Sequence, residues 1–90
     1  MNIIVKRKLK DYESWKELVS EMDGLRQEYG SQGVTVYRNA GDLNEVYLVF
    51  EWSDDRSYHE YFNRPDVQQA LTNSGTTQII EVSEVFHLPY

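Results

Sequence analysis

The chain has 90 residues, enough for one domain, and a domain this short buries only about 60–65% of the surface that its unfolded form exposes. Its formal net charge of −6 argues against nucleic acid or an anionic membrane surface as a partner. The absence of cysteine excludes disulfides and thiolate sites and favours a reducing, cytoplasmic location. No apolar run approaches the ~20 residues of a membrane span. We therefore expect a single domain over residues 1–90.

The first third of the chain predicts a strand and then a long amphipathic helix. Residues 2–9 form the strand, because their apolar side chains alternate. Asp11 is placed as the N-cap of the helix, and apolar residues then recur at steps of three and four up to Tyr29. This spacing predicts one helix of about five turns, which ends at a left-handed cap on Gly30.

A β-hairpin is expected next. Its strands are Val34–Arg38 and Val46–Trp52, and the turn-rich segment Asn39–Asn44 between them favours antiparallel pairing. One face of the hairpin is uniformly apolar only if Arg38 lies opposite Val46, which fixes the register. The opposite face then carries Thr35, Tyr37, Tyr47, Val49 and Glu51, with Tyr37 opposite Tyr47.

Two helices and a strand complete the chain. One helix is expected to start near Asp54, and a second, shorter one at Pro65, because proline fits the first turn of a helix. The turn at Asn73-Ser74-Gly75 ends it, and the last strand runs from Thr77 to Phe86. We assign Ile80, Val82 and Phe86 to one face of this strand, and Ile79, Glu81, Ser83, Val85 and His87 to the other.

The predicted order β-α-β-β-α-β is the ferredoxin-like arrangement, an α+β fold. Right-handed crossovers place the helices on one face of a four-stranded antiparallel sheet, here called the helix face. The other face, here called the open face, carries more apolar surface than water tolerates at roughly 25 cal/mol per Å². Its predicted apolar members are Ile4, Tyr37, Tyr47, Val49 and Ile79. We therefore expect a homodimer in which two open faces pack together.

Four segments resemble a known family and together cover nearly the whole chain. They are DYESWKELV from Asp11, VYLVFEWSDDRSYHEYF from Val46, RPDVQQAL from Arg64 and IIEVSEVF from Ile79. The chain resembles the dimeric α/β-barrel superfamily, and within it the small antibiotic-biosynthesis-monooxygenase-like and cyclase-like proteins. This superfamily includes cofactor-free monooxygenases, haem-degrading enzymes, cyclases and members without an assigned activity.

The resemblance speaks against haem degradation. The iron-binding histidine of haem-degrading relatives matches Leu71, and their helix-borne tryptophan falls near Tyr61. The asparagine of their first strand falls between Ile3 and Val5, where this chain has no asparagine. No cofactor and no metal site are therefore expected.

Glu51 is the sequence-based candidate for a catalytic residue. On the open face, desolvation would raise the pKa of its carboxyl group and suit it to act as a general base. The alternative is a structural ion pair with Lys6. Tyr37 and Tyr47 are candidate ligand-binding residues that would orient a phenolic substrate, or else they form a cross-strand packing pair.

The remaining candidate ligand-binding residues are Lys6, Glu81 and His87. Glu81 is expected to line the same cavity or to belong to the dimer seam. His87 is placed at the cavity mouth, with a frayed or dimer-edge position as the alternative. His59 is expected to face solvent, because its neighbours on the second helix occupy the apolar stripe.

Two classes of function stay open on the sequence. The first is a cofactor-free monooxygenase or cyclase that acts on an aromatic or polyketide-like substrate, with a carboxylate or tyrosine moving a proton. The second is a non-catalytic module for small-molecule binding or dimerisation, which keeps the barrel and lacks the chemistry.

Overall fold

The computed structural model describes residues 1–85, 88 and 89. The elements are β1 (Asn2–Leu9), α1 (Tyr12–Glu21), α2 (Asp23–Glu28), β2 (Ser31–Asn39), β3 (Asp42–Trp52), α3 (Asp55–Phe62), α4 (Pro65–Asn73) and β4 (Thr76–Val85). The strands form one antiparallel sheet in the order β2-β3-β1-β4. This topology confirms the predicted α+β, ferredoxin-like fold. Among the described residues, no helix has the length and apolar character that a bilayer crossing requires.

The helix starts follow the predicted caps. The Asp11 carboxylate accepts a hydrogen bond of 3.2 Å from the backbone N–H of Ser14, and the Asp54 carboxylate accepts one of 2.7 Å from the N–H of Ser57. Each bond satisfies a backbone donor that the first helical turn leaves free. Pro65 is the first residue of α4 and needs no donor there.

The predicted five-turn helix is in fact divided in two. Met22 ends α1 and precedes α2. Asp23 begins α2, where a negative charge is favourable, and its carboxylate accepts hydrogen bonds from the side chains of Arg26 and Gln27 one turn later. Gly30 follows α2 with a positive φ of 103°, as expected of a left-handed cap.

The register of the hairpin is as predicted, with Arg38 opposite Val46 and Tyr37 opposite Tyr47. The prediction of which β4 side chains lie on which face of the sheet is wrong. Ile79 pairs with Arg7, and Glu81 pairs with Val5, so both occupy the helix face. Two isoleucines stand side by side at positions 79 and 80, so alternation does not choose between the two facings.

Ile80 therefore replaces Ile79 on the open face, where it lies opposite Lys6. Two residues of the predicted strand end, Phe86 and His87, lie outside the described residues, and so does the side chain of Ser83. The expected position of His87 at a cavity mouth stays a prediction.

The core lies between the helix face and the helices and is largely aromatic. Trp52 is fully buried, and its ring packs 5.3 Å from the ring of Tyr58 and 5.4 Å from that of Tyr61. The Trp52 indole Nε1 donates a hydrogen bond of 2.9 Å to the carbonyl oxygen of Tyr29. This bond connects the end of α2 to the sheet, and Trp15, like Trp52, is buried in the core.

Candidate functional site

The open face carries a paired network of charges. The Lys8 ammonium lies 2.5 Å from an Asp42 carboxylate oxygen and 2.7 Å from one of Glu45, and the Lys6 ammonium lies 3.5 Å from Glu45. The hydrogen bonds from Lys8 and then from Tyr47 lower the pKa of Glu45 to about 2. The Glu45 side chain is only 8% exposed, so this carboxylate is the anchor of the network.

The structure brings four predicted site residues, Lys6, Tyr37, Tyr47 and Glu51, onto the open face. Tyr47 donates its hydroxyl to Glu45, and this bond raises the pKa of the phenol. Tyr37 is 60% exposed, and Glu51 is exposed opposite Asn2. The alternative role of Glu51, an ion pair with Lys6, is wrong, because Lys6 lies opposite Tyr47 and pairs with Glu45.

A concave site lies on the helix face of the sheet. We call it the helix-side groove, a depression of about 420 Å³ between α1, α2 and β2. Its floor and walls are mainly aromatic and apolar, and its rim is polar. The lining residues are Tyr12, Trp15, Lys16, Val19, Ser20, Asp23, Arg26, Val34 and Val36. The Arg38 guanidinium lies 3.8 Å from the centre of the ring of Tyr12, one of these lining residues.

A second, smaller space lies next to this groove, between the sheet and the helices. We call it the inner cavity, a volume of about 30 Å³. The groove and the inner cavity share Trp15, Val19 and Arg26, which therefore stand between them. The other lining residues of the inner cavity are Arg7, Leu18, Met22, Leu48, Phe50, Tyr61, Phe62, Val67, Ala70, Leu71 and Ser74.

Arg7 is the most unusual residue of the inner cavity. It points from β1 to the helix face and is 3% exposed, with its guanidinium 5.7 Å from the ring centres of both Phe50 and Phe62. Burial is the main cause that lowers its pKa to about 10, and the nearby Arg26 acts in the same direction. Its Nε atom is buried and has no hydrogen-bond partner among the described residues.

Arg26 and Trp15 add two more buried donors. Arg26 is 5% exposed, and its guanidinium binds Asp23 at 3.2 Å through one terminal nitrogen. Its Nε and the indole Nε1 of Trp15 are both buried without a hydrogen-bond partner in the described part of the chain. Native structures rarely leave such groups unpaired, so three unpaired donors around one space indicate a place for a polar ligand atom.

Two phenols lie beside the arginines. Burial raises the pKa of both Tyr58 and Tyr61, and both groups therefore stay neutral at pH 7. The carboxylate of Glu81 lies near the Tyr58 hydroxyl and raises its pKa further. Glu81 is thus associated with the helix face, away from Lys6 and Glu51, with which it was predicted to act.

Two other residues considered on the sequence have clear places. The side chain of His59 is 50% exposed, as predicted, and its Nδ1 lies 3.2 Å from a carboxylate oxygen of Asp55. Leu71, at the position that resembles the iron-binding histidine of haem-degrading relatives, lines the inner cavity.

Sequence reasoning missed Arg7 and Arg26, although the pattern contains both. Arg7 follows Ile3 and Val5 at two-residue steps, so strict alternation puts its side chain on the apolar face of β1. Arg26 follows Met22 by four residues and precedes Tyr29 by three, within the apolar stripe of the helix. In both cases the sequence places a charged residue where the strand or helix pattern requires an apolar one, and this mismatch could have identified both arginines as buried.

Comparison with known proteins agrees with this architecture. The structure of a cofactor-independent oxygenase, SnoaB from Streptomyces nogalater, superposes with a TM-score of 0.74 at 12% identity, covering 99% of this chain and 96% of that one. A protein of Deinococcus radiodurans, described as an antibiotic biosynthesis monooxygenase, gives 0.67 at 19% identity, covering 100% and 98%. One from Bordetella bronchiseptica with the same description gives 0.71 at 15% identity, covering 94% and 96%.

These identities are low, and the similarity of structure establishes the fold alone. A search of curated protein sequences finds no significant match. The family model for antibiotic biosynthesis monooxygenase, however, matches residues 10–73, which is more than half of the chain. The match begins just before α1 and ends with α4, so it includes β2, β3 and every helix that borders the groove and the inner cavity. The chain therefore belongs to the antibiotic biosynthesis monooxygenase family.

Proposed function

We propose that the protein is a cofactor-independent monooxygenase that binds an aromatic or polyketide-like molecule in the helix-side groove. The observation that carries the proposal is a 420 Å³ groove next to an inner cavity whose lining residues include three with buried hydrogen-bond donors. Small-molecule sites typically combine apolar walls with a few placed polar groups in this way. Family membership and the fold shared with a cofactor-independent oxygenase support the reaction class.

The substrate itself is the reductant in this proposal. A ring CH₂ group flanked by aromatic rings releases a proton to solvent, and the resulting carbanion reduces dioxygen and bonds to one of its oxygen atoms. The peroxide takes up the proton, its O–O bond breaks, and loss of one water molecule leaves a C=O group, so that CH₂ and O₂ become C=O and H₂O. The protein's part is to hold the rings against Tyr12 and Trp15 and to stabilise negative charge on the substrate oxygen.

Oxygen uptake with 1,8-dihydroxyanthrone, which has such a CH₂ group, tests the proposal. We expect the protein to accelerate uptake above the spontaneous rate, with formation of the anthraquinone, and the rate should be unchanged by a chelator. Ser20→Trp, which fills the groove, should abolish the acceleration. Glu21→Trp places the same indole on an exposed position one residue later and serves as the control. Binding without uptake would instead favour the non-catalytic binding module.

We also propose that two chains pair through their open faces. Ile4, Tyr37 and Ile80 on this face are 40%, 60% and 48% exposed in the single chain, which supports a covering partner. The resemblance to a superfamily of dimeric barrels points to a second copy of the chain as that partner. The cytoplasmic location expected from the cysteine-free sequence likewise belongs to the proposal.

Sedimentation at micromolar concentration should give about twice 10.6 kDa. Val49→Lys should shift the protein to the single-chain mass, because Val49 lies between Ile4 and Thr35 near the middle of the open face, where an unpaired charge would be buried. Thr72→Lys on the exposed side of α4 is the matched control. A dimer that survives Val49→Lys would contradict the pairing through open faces.

A further inference from the structure

We propose that the inner cavity binds the anionic group of an aromatic ligand, a carboxylate or an ionised ring oxygen, between Arg7 and Arg26. The aromatic rings occupy the helix-side groove, and the anionic oxygen reaches inward past Trp15. The inference rests on the proposed function, since it names the chemical class of ligand that the same site accepts.

The buried N–H donors around the inner cavity indicate that a hydrogen-bond acceptor binds there. The Nε atoms of Arg7 and Arg26 and the Nε1 of Trp15 are buried without a partner in the described structure, and all three residues line this one space. None of the three nitrogen atoms can accept a hydrogen bond, so they cannot satisfy one another. An oxygen with several lone pairs, such as a carboxylate or enolate oxygen, accepts from more than one of them.

The charges call for an anion. The chain as a whole has a net charge of −6, yet this interior holds two guanidinium groups. Among side chains that the structure describes, Asp23 is the one carboxylate within 4.0 Å of either guanidinium, and it stands on the exposed rim. Burying two guanidinium groups with only one exposed carboxylate as partner destabilises the free protein. An anion between them would offset this desolvation free energy through charge-assisted hydrogen bonds.

The volumes divide the ligand into two parts. One water molecule needs a cavity volume of about 10–15 Å³. The inner cavity, with about 30 Å³, therefore has room for a carboxylate or hydroxyl group but not for an aromatic ring. The 420 Å³ groove accommodates the rings. Ordered water in the inner cavity would satisfy the donors but would add no negative charge beside Arg7, which has no carboxylate within 4.0 Å among the described side chains.

A matched pair of naphthoquinones tests the inference. In 2-hydroxy-1,4-naphthoquinone the ring oxygen is ionised at pH 7, whereas 2-methoxy-1,4-naphthoquinone has the same ring system and cannot ionise. Affinities are measured by calorimetry and by quenching of tryptophan fluorescence. We expect the ionised compound to bind about tenfold to a hundredfold more tightly, the range expected for hydrogen bonds to a buried charged group.

Arg7→Met and Arg26→Met should each reduce this preference, because each weakens binding of the ionised compound more than binding of the methoxy compound. Arg56→Met removes an arginine of the same charge whose side chain is 88% exposed on α3 and should leave both affinities unchanged. Should Arg7→Met fail to fold, the result with Arg26→Met decides.

The outcomes separate the inference from the function on which it rests. Equal affinity for the two compounds, or an equal loss of both in the arginine variants, overturns the anion site and leaves the groove as a ligand site. If neither compound binds, the helix-side groove itself is refuted as the ligand site, and the anion site is refuted with it.

Discussion

The two faces of the sheet differ in whether their positively charged side chains have acidic partners. On the open face, Lys6 and Lys8 are paired with Glu45 and Asp42 at 2.5–3.5 Å. On the helix face, Arg7 lies between two phenylalanine rings without a carboxylate within 4.0 Å among the described side chains. The same strand, β1, supplies cations to both faces at neighbouring positions.

This difference indicates which face is built for stability and which for a ligand. A network of paired charges between neighbouring strands on a half-exposed surface helps to hold the strands in register. Buried donors without partners destabilise the free protein, and such a cost is typical of sites prepared for a ligand. The comparison therefore favours the helix face as the functional side, although the sequence pointed to the open face.

Arg7→Met should stabilise the free protein, and this is the largest effect we expect. Replacing a buried guanidinium that has no carboxylate within 4.0 Å among the described side chains by an apolar side chain of similar length raises the free energy of unfolding by about 1–2 kcal/mol. Urea unfolding at pH 7 measures the change. Arg56→Met, on an exposed position, should stay within about 0.5 kcal/mol of the wild type. A clear loss of stability in Arg7→Met would mean that Arg7 is a structural residue of the core.

Glu45→Gln should reduce the dependence of stability on pH. The pKa of Glu45 in the folded protein, about 2, lies below its ordinary value of 4.5. The ionised carboxylate therefore contributes stability above about pH 4.5, and this contribution is lost as the pH falls towards 2. Melting temperatures from pH 7 to pH 2 should fall less steeply in the variant, which is also less stable than the wild type at pH 7.

Parallel melting curves for wild type and Glu45→Gln would show that Lys8 and Tyr47 do not favour the ionised carboxylate. Some slope should remain in the variant, because Asp42, Asp11 and Asp54 also have lowered pKa values, each through hydrogen bonds from its neighbours.

The fold was predictable because local signals agree with one another. The caps at Asp11 and Asp54, the proline at position 65 and the apolar alternation of the hairpin each predict the observed element, and the register from Arg38 and Val46 follows from one apolar face. The facing of β4 was not predictable in the same way. Two adjacent isoleucines and register irregularities where it pairs with β1 remove the alternation that decides such a question.

The site was harder to predict because its key residues break the usual rule. Arginines are mostly exposed, so neither Arg7 nor Arg26 was named as a site residue despite their apolar positions in the pattern. Tyr37 and Glu51 were chosen as candidate site residues because polar groups among apolar ones on the same sheet face are typical of a pocket lining. Their side chains are exposed in the single chain, and the pairing of Lys6 with Glu45 depends on a cross-strand position that composition does not reveal.

Glu51→Gln should have the smallest effect and decides between the two faces. Glu51 is exposed opposite Asn2, and Lys6 is engaged by Glu45, so the free energy of unfolding should stay within about 0.5 kcal/mol of the wild type. Turnover of 1,8-dihydroxyanthrone should also be unchanged, because the helix-side groove lies across the sheet from Glu51. Glu60→Gln on the exposed surface of α3 provides the matched control for loss of one carboxylate. If Glu51 is the general base that the sequence suggests, turnover should instead fall by about 10²–10⁴-fold with the fold intact, and the reaction would then belong to the open face.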